Sequence, residues 1–256
     1  MGRIFAVVNQ KGGVGKSTTA VNLAACLGAA GKSVLMVDTD PQGNSTSGMG
    51  FDKSEIKKCI YNVLVEGLPV ADVALPTPHS ELGTVFIVPA TIQLAGAEVE
   101  LVSMMSREYR MKTALEEIRD QFDFIILDCP PSLGLLTINA LTAADGVIVP
   151  IQCEYYALEG LSQLLDTINL VKKHLNKNLE IVGVLLTMYD ARTNLAQQVI
   201  DEVRGYFADR VYRTIIPRNI RLSEAPGYGK PINLYDPSSK GAEAYDSLCQ
   251  EVIQHG

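Results

Sequence analysis

The sequence predicts an α/β fold with a mostly parallel, twisted sheet that is covered by helices on both faces. Three observations predict this fold. Seven continuous apolar runs of strand length recur with helical patterns between them, a glycine-rich loop joins the first run to the first helical pattern, and polar residues follow the ends of three runs. Continuous apolar runs are typical of parallel strands that are buried on both faces.

The predicted strands follow one another at regular intervals along the chain. They cover residues 4–8, 34–37, 85–88, 124–127, 146–150, 181–186 and 211–216. The helical patterns between them would supply the crossover connections that parallel strands need. Residues 50–78 are the least regular region, because prolines interrupt the pattern there. No repeat or Gly/Ser linker divides the chain, so we expect residues 1–256 to form a single domain with no helix-turn-helix extension before the glycine loop.

The composition is that of an ordinary globular protein, with 47% hydrophobic and 20% charged residues among 256. No apolar run approaches the roughly 18 residues of a membrane span, and the glycine loop begins too early for a signal peptide to precede it. The five cysteines are scattered, without a C-x-x-C pair or a histidine spaced for zinc. We therefore expect reduced thiols and a cytoplasmic protein.

The glycine loop has the order strand, loop, helix and predicts a polyphosphate site. Such a loop turns backbone N–H groups inward at the positive end of a helix, where they can hold phosphate oxygens. Lys16 would reach the β- and γ-phosphates, and the Ser17 hydroxyl would be a Mg²⁺ ligand. The residues expected to contact the nucleotide are Lys11, Gly12, Gly13, Val14, Gly15, Lys16, Ser17 and Thr18.

The loop departs from the general P-loop pattern G-x-x-x-x-G-K-[ST], because Gln10 stands where the first glycine belongs. A second lysine, Lys11, precedes the glycines and gives the deviant Walker A form, in which the early lysine serves the nucleotide of a neighbouring subunit. The alternative interpretation is a glycine turn with two surface lysines. The presence of strand, loop and helix in the required order favours the phosphate site.

Carboxylates follow two of the predicted strands. Asp128 ends the run 124–127 in the manner of a Walker B aspartate, which holds Mg²⁺ directly or through water; the alternative is a turn at a strand end. Asp38 and Asp40 are two residues apart, so in an extended chain they point to the same side. They could contact Mg²⁺ and position or deprotonate the attacking water, or Asp40 could simply stabilise the turn at Pro41.

Four ordered motifs resemble the ParA/Soj family of chromosome- and plasmid-partitioning ATPases. They are K-G-G-V-G-K-S-T at 11–18, V-D-T-D-P-Q-G-N at 37–44, F-I-I-L-D-C-P-P-S at 124–132 and I-P-R-N-I-R-L-S-E-A-P at 216–226. The resemblance implies a P-loop ATPase whose dimer encloses two ATP molecules. In that dimer, Lys11 crosses to the partner's phosphates, Lys16 and Ser17 act in cis, Asp40 aligns the hydrolytic water and Asp128 lies near Mg²⁺.

The same resemblance implies that the ATP dimer binds double-stranded DNA non-specifically and that a ParB-type centromere-binding protein stimulates hydrolysis, which would make the protein nucleoid-associated. It places Pro217 and Asn219 near the adenine, although a plain turn at a strand exit is an alternative. Residues 190–240 contain eight basic and six acidic side chains in a chain of net charge −7. Within this basic segment, Arg192 and Arg221 match the family's DNA-contacting positions; their alternative role is surface salt bridging.

Other members of the deviant Walker A class fit the sequence less well. The nitrogenase iron protein needs a pair of cluster ligands, and only Cys129 stands near a suitable place. MinD-like membrane ATPases end in a basic amphipathic helix, whereas residues 243–256 carry three acidic side chains and no lysine or arginine. We therefore expect an Mg²⁺-dependent ATPase that binds DNA and no membrane. The alternatives are a MinD-like membrane-surface ATPase and a P-loop enzyme that phosphorylates or ligates a small molecule.

Overall fold

The computed structural model describes residues 2–154 and 161–255, and their strands form one sheet of eight. The strands are β1 (Arg3–Val7), β2 (Val34–Asp38), β3 (Leu75–Pro76), β4 (Val85–Val88), β5 (Phe124–Asp128), β6 (Gly146–Gln152), β7 (Glu180–Tyr189) and β8 (Val211–Pro217). Their order across the sheet is β3-β4-β2-β5-β1-β6-β7-β8. Every neighbouring pair is parallel except β3 with β4. The predicted α/β fold and its mostly parallel sheet are confirmed.

All seven predicted strands are present, with ends that differ by up to three residues. Strand β3 was not predicted. It is two residues long and includes Pro76, so neither its length nor its composition gives a strand signal. It lies in the irregular region 50–78, which also holds the short helical turns Asn62–Glu66 and Val70–Asp72.

Helices connect the strands and cover both faces of the sheet. They are α1 (Lys16–Ala29), α2 (Asn44–Gly48), α3 (Leu94–Glu100), α4 (Arg110–Glu116), α5 (Leu135–Ala143), α6 (Leu161–His174), α7 (Asn194–Phe207), α8 (Ile220–Glu224), α9 (Ile232–Tyr235) and α10 (Lys240–His255). Within the described ranges, no helix combines the length and the apolar character needed to cross a bilayer.

Two hydrophobic cores lie on opposite faces of the sheet. In β1, Ile4 and Ala6 belong to the core that packs against α3 to α7, whereas Phe5 and Val7 belong to the core beneath α1 and α10. This alternation follows from the period of two in a strand, which sends neighbouring side chains to opposite faces. Burial on both faces explains why the strands were readable as continuous apolar runs.

The register of the three central strands brings their carboxyl ends together. Val7, the last residue of β1, pairs with Asp128 of β5, and Asp128 also pairs with Asp38 of β2. The glycine loop leaves β1 at this edge and enters α1. The segments that follow β1, β2 and β5 therefore meet at one place, as expected for ligand sites in open α/β sheets.

Candidate nucleotide-binding site

The glycine loop is held in shape by side chains from both its ends and from β7. The Asn9 side chain donates to the carbonyl of Pro150 (2.7 Å) and accepts from the backbone N–H of Lys11 (2.9 Å). Thr187 donates its hydroxyl hydrogen to the carbonyl of Val14 (2.9 Å). Gly15, which precedes α1, has a φ of 91°, a backbone conformation that favours glycine. The loop is thus fixed in position at the first turn of α1.

Lys16 is buried at the floor of this loop with its ammonium group directed to the carbonyl of Lys11 (3.1 Å). Burial lowers the pKa of Lys16 below its usual value, while the nearby Asp128 and Asp40 carboxylates act in the opposite direction. A cation that is short of solvent and hydrogen-bonded to one loop carbonyl is well placed to exchange that contact for phosphate oxygens.

Asp128 and Asp38 form a buried pair of carboxyls at the ends of neighbouring strands. Burial raises the pKa of both groups, and the charge of Asp128 adds to the rise at Asp38. Asp38 is fully engaged: one oxygen accepts from the N–H and hydroxyl of Thr46 (both 2.8 Å) and the other from the N–H of Asp40 (3.1 Å). Its contacts fix the turn that leads into α2, so its carboxylate serves the turn and does not face the cleft.

Asp128 is less well satisfied than its neighbour. Its Oδ2 accepts from the Ser45 hydroxyl (2.6 Å), whereas its Oδ1 is buried and has no hydrogen-bond partner within residues 2–154 and 161–255. The Ser17 hydroxyl lies close enough to lower the pKa of Asp128, although less than burial raises it. A buried carboxylate oxygen without a donor, beside a serine hydroxyl and a second carboxylate, is a set of hard oxygen ligands that fits Mg²⁺.

Asp40 makes a turn contact and also lies in the cleft. Its Oδ1 accepts from the N–H of Gln42 (2.9 Å), which is a turn contact, and the residue also lines the cleft beside the glycine loop. It is close enough to Asp128 to raise the pKa of that group. The N–H of Asp40 also donates to Asp38 (3.1 Å), so the chain bends directly after β2 and the two carboxylates have different hydrogen-bond partners.

A cleft of about 570 Å³ opens over the glycine loop, and a second cavity of about 400 Å³ adjoins it. Gly15, Thr18, Met188 and Pro226 line both spaces. The first space contains the predicted phosphate contacts Gly12, Gly13, Lys16 and Ser17, together with Asp40. The second contains Pro217 and Asn219. The two spaces together have the layout of a phosphate site next to a nucleoside site.

Two of the predicted nucleotide contacts can offer a nucleotide only part of the residue. The Val14 side chain is buried, so only its backbone is available to a nucleotide. The side-chain oxygen of Asn219 accepts from the N–H of Arg221 (2.8 Å) and caps α8, so a base would meet only its amide NH₂. Lys11 is half-buried, and its carbonyl accepts from the Lys16 ammonium group.

Sequence reasoning missed several cleft residues. Met188 lines both spaces and has a φ of 53°, which is uncommon for a residue with a side chain. Lys230 adds a second cation to the wall of the larger cleft, and Ser45 binds Asp128. The position of Met188 just beyond the run 181–186 was a usable signal, whereas nothing near Lys230 in the sequence pointed to the glycine loop.

Arg192 and Arg221 lie outside both spaces and each forms ion pairs. Arg192 is bidentate to Asp190 (2.8 and 2.7 Å), and this contact holds the pKa of Asp190 well below its usual range. Arg221 pairs with Glu224 (2.9 Å) and lies 3.4 Å from Asp236. Their side chains remain 85% and 50% exposed, so both stay accessible to a further anion.

The chain is similar in sequence and in fold to known proteins. A family model described as an AAA domain matches residues 2–181. The chain is 62% identical over 256 residues to the sporulation initiation inhibitor protein Soj of Bacillus subtilis, with both chains fully covered. It is 55% identical over 254 residues to the chromosome partitioning protein ParA of Myxococcus xanthus, covering 99% of this chain and 89% of that protein.

A similar solved structure is a cobyrinic acid a,c-diamide synthase from Mycobacterium smegmatis with bound ADP and magnesium. It matches with a TM-score of 0.87 and 39% identity, covering 100% of this chain and 95% of that one. The fold described above therefore holds a nucleotide and magnesium in a related protein.

Proposed function

Because the chain belongs to the ParA/Soj family of chromosome-partitioning ATPases, we propose that it is an Mg²⁺-dependent ATPase whose nucleotide state controls DNA binding. In this proposal, two ATP-bound copies form a sandwich dimer that binds double-stranded DNA non-specifically. Hydrolysis, stimulated by a ParB-type centromere-binding protein, releases the DNA. One domain carries all of these activities, and the protein works in the cytoplasm on the nucleoid.

The observation that carries the proposal is the arrangement of Lys16, Asp40 and Asp128 around the glycine loop. Lys16 and the loop N–H groups would bind the phosphates, and Ser17 and Asp128 would hold Mg²⁺, with Asp40 nearby. Magnesium, when bound, neutralises charge that develops on the phosphate oxygens. Asp40 lines the cleft and uses Oδ1 in its turn contact, so Oδ2 would be the oxygen that accepts a hydrogen bond from the attacking water.

The dimer is supported by the emptiness around Gly12. A Cβ atom built on Gly12 meets nothing within 4 Å among the residues that the structure describes, and its φ is not positive. Neither packing against the described part of the chain nor backbone conformation therefore requires glycine at this exposed position. Close approach of a second subunit supplies a reason, and it would bring the neighbouring Lys11 to the partner's nucleotide.

The experiment that tests the proposed function is DNA retention measured with ATP, with ADP and without nucleotide, together with phosphate release. We expect retention of unrelated duplexes with ATP only, and slow hydrolysis that requires Mg²⁺. Equal retention in all three states would contradict the nucleotide switch. Absence of hydrolysis would contradict the ATPase.

The same preparation tests the two alternative functions. A MinD-like ATPase would sediment with anionic liposomes in ATP. Against this stands α10, which buries Tyr245, Leu248 and Val252 in the core and uses Glu251 to bind the backbone of β8. Its apolar face is therefore already occupied. A P-loop enzyme for a small molecule would bind neither DNA nor liposomes.

A further inference from the structure

Segment 225–230 forms one wall of the nucleotide cleft. Four of its residues line the cleft of about 570 Å³: Ala225, Pro226, Gly227 and Lys230. Ala225 is buried in the core, whereas residues 226–228 are exposed. The core therefore holds one end of this wall, and the other end, at Gly229, depends on a separate anchor.

The imidazole of His79 is that anchor. Its Nε2 lies 2.8 Å from the carbonyl oxygen of Gly229, and because a carbonyl can only accept, Nε2 is the donor. Among the described residues, no other side chain outside segment 225–230 forms a hydrogen bond with it. His79 is itself fixed, because its N–H donates to the Thr77 hydroxyl (3.3 Å) and its carbonyl accepts from the N–H of the buried Leu82 (3.1 Å).

Two glycines complete the same contact. Gly50 follows α2 by two residues and has a φ of 90°, and Gly229 has a φ of 62°. A Cβ atom on Gly50 would lie 2.9 Å from the Gly229 oxygen and 3.0 Å from Nε2 of His79. A Cβ atom on Gly229 would lie 2.8 Å from Cα of Gly50. Ser47 and Gly48 of α2 also line the cleft, so two of its walls meet at this contact.

We propose that His79 is a positioning residue for nucleotide binding, which rests on the proposed function in that the cleft binds Mg²⁺-ATP. The hydrogen bond to Gly229 keeps segment 225–230 against the end of α2, so this wall of the cleft is formed before a nucleotide arrives. A wall that is already ordered does not have to be ordered at the expense of binding free energy.

The contact made by His79 is separate from those that hold the carboxylates. Asp128 is bound by Ser45 (2.6 Å), and Asp38 is bound by Thr46 (2.8 Å), both near the start of α2. Loss of the His79 contact should therefore weaken nucleotide binding and leave the hydrolytic step unchanged.

Steady-state hydrolysis by the full chain distinguishes this role from a general loss of folding. His79→Ala removes one hydrogen bond, so the KM for ATP should rise about three- to tenfold while kcat changes less than about twofold. His79→Gln keeps an N–H donor at a similar reach and should restore most of the parent KM. His174→Ala, at an exposed position of α6, is the matched control and should change neither constant. A merely structural role would lower kcat by reducing the active fraction and leave KM unchanged.

Gly50→Ala tests the same contact from the side of α2. The added methyl group would lie between Gly229 and His79, so KM should rise as in His79→Ala. Gly31→Ala is the matched control, because Gly31 has a φ of 81° and a Cβ atom there meets nothing within 4 Å in the described part of the chain. It carries the backbone strain without the clash and should keep the parent KM.

Hydrogen exchange gives a readout that needs no nucleotide. The N–H groups of Gly229 and Lys230 donate to the carbonyls of Pro226 (3.1 Å) and Ala225 (3.2 Å). Both amides should exchange about three- to tenfold faster in His79→Ala than in the parent. Unchanged exchange would overturn the anchor.

Three kinetic results would overturn the positioning role: a parent KM in His79→Ala, a loss confined to kcat, or the same KM in Gly50→Ala as in Gly31→Ala. A KM of His79→Gln equal to that of His79→Ala would exclude the hydrogen bond as its cause. If the parent chain neither binds nor hydrolyses ATP while the exchange result holds, the proposed function fails and the anchor of segment 225–230 stands.

Discussion

Replacing Asp128 by asparagine should stabilise the chain in the absence of nucleotide and remove much of the stabilisation that Mg²⁺-nucleotide provides. Asp128 is fully buried next to Asp38, and one of its oxygens has no donor. Burial raises its pKa, so the charged form costs the folded state free energy. The pKa of Asp128 rises to about 6, which corresponds to about 2 to 3 kcal/mol near pH 7.5. The asparagine keeps an acceptor for Ser45 and removes that charge.

The gain should be visible in thermal unfolding. For a chain of this size, about 2 kcal/mol corresponds to a rise in Tm of roughly 4 to 8 °C. With nucleotide at 100 times its Kd, the parent chain should gain about 2.7 kcal/mol from binding. Asp128→Asn should gain clearly less when Mg²⁺ is present, because it has lost a carboxylate ligand for the ion. Asp120→Asn removes the same charge from an exposed position and should change neither quantity.

The pH dependence gives an independent check with a fixed sign. A carboxyl whose pKa is raised on folding favours the folded state below its unfolded pKa, and this contribution is lost as the pH rises through the folded pKa. The contribution of Asp128 to the free energy of unfolding should therefore fall as the pH rises from about 4 to about 7, so the nucleotide-free parent should lose stability relative to Asp128→Asn over that range. A variant that is less stable than the parent, with an unchanged pH slope and full stabilisation by Mg²⁺-nucleotide, would refute this reasoning.

Four further outcomes are expected. Lys16→Ala should abolish nucleotide binding, because it removes the buried cation of the loop; a titration with unchanged ATP affinity would contradict this. Asp40→Ala should bind ATP and accumulate a dimer with stalled turnover, since aligning water matters in the transition state; normal phosphate release would exclude this role. Gly12→Val should bind ATP as a monomer, which light scattering measures, and an ATP dimer would count against the sandwich. Arg192→Ala and Arg221→Ala should each lower the log–log salt slope of DNA retention by about two units, equally on all duplexes; a parental slope would point to salt bridging alone.

The strands of this fold were predictable because both faces of the sheet are buried. Strand β7 shows where the sequence signal stops: the apolar run covers 181–186, yet the strand continues to Tyr189. Its last residues are polar or large but still pair, Thr187 with Gln152 of β6 and Tyr189 with Pro217 of β8. Strand ends are set by such pairing between distant segments, which apolar patterning does not report.

The glycine loop and Asp128 were predictable because each is a local motif next to a strong strand signal. The different hydrogen-bond partners of Asp38 and Asp40 were not predictable, because they depend on α2. This helix has five residues and is too short to leave a periodic pattern in the sequence. Thr46 of α2 engages Asp38 and so leaves Asp40 to the cleft. Lys230 reaches the cleft from the opposite end of the chain, and only the folded sheet brings it there.

The two arginines show how a contact in the structure and a proposed function can both hold. The sequence offered DNA binding and surface ion pairs as alternative roles, and the structure contains the ion pairs with Asp190 and Glu224. These pairs are exposed and exchange readily with water and salt. A bidentate carboxylate and a phosphate present the same pair of acceptor oxygens to a guanidinium group. An arginine that leaves its carboxylate can therefore offer the same pair of N–H donors to a phosphate, and the proposed dimer would present two such segments to one duplex. Duplex DNA carries a line of phosphates, whereas each carboxylate offers a single partner. The salt slope of DNA retention therefore distinguishes DNA binding from surface ion pairing, which a contact in the structure cannot do.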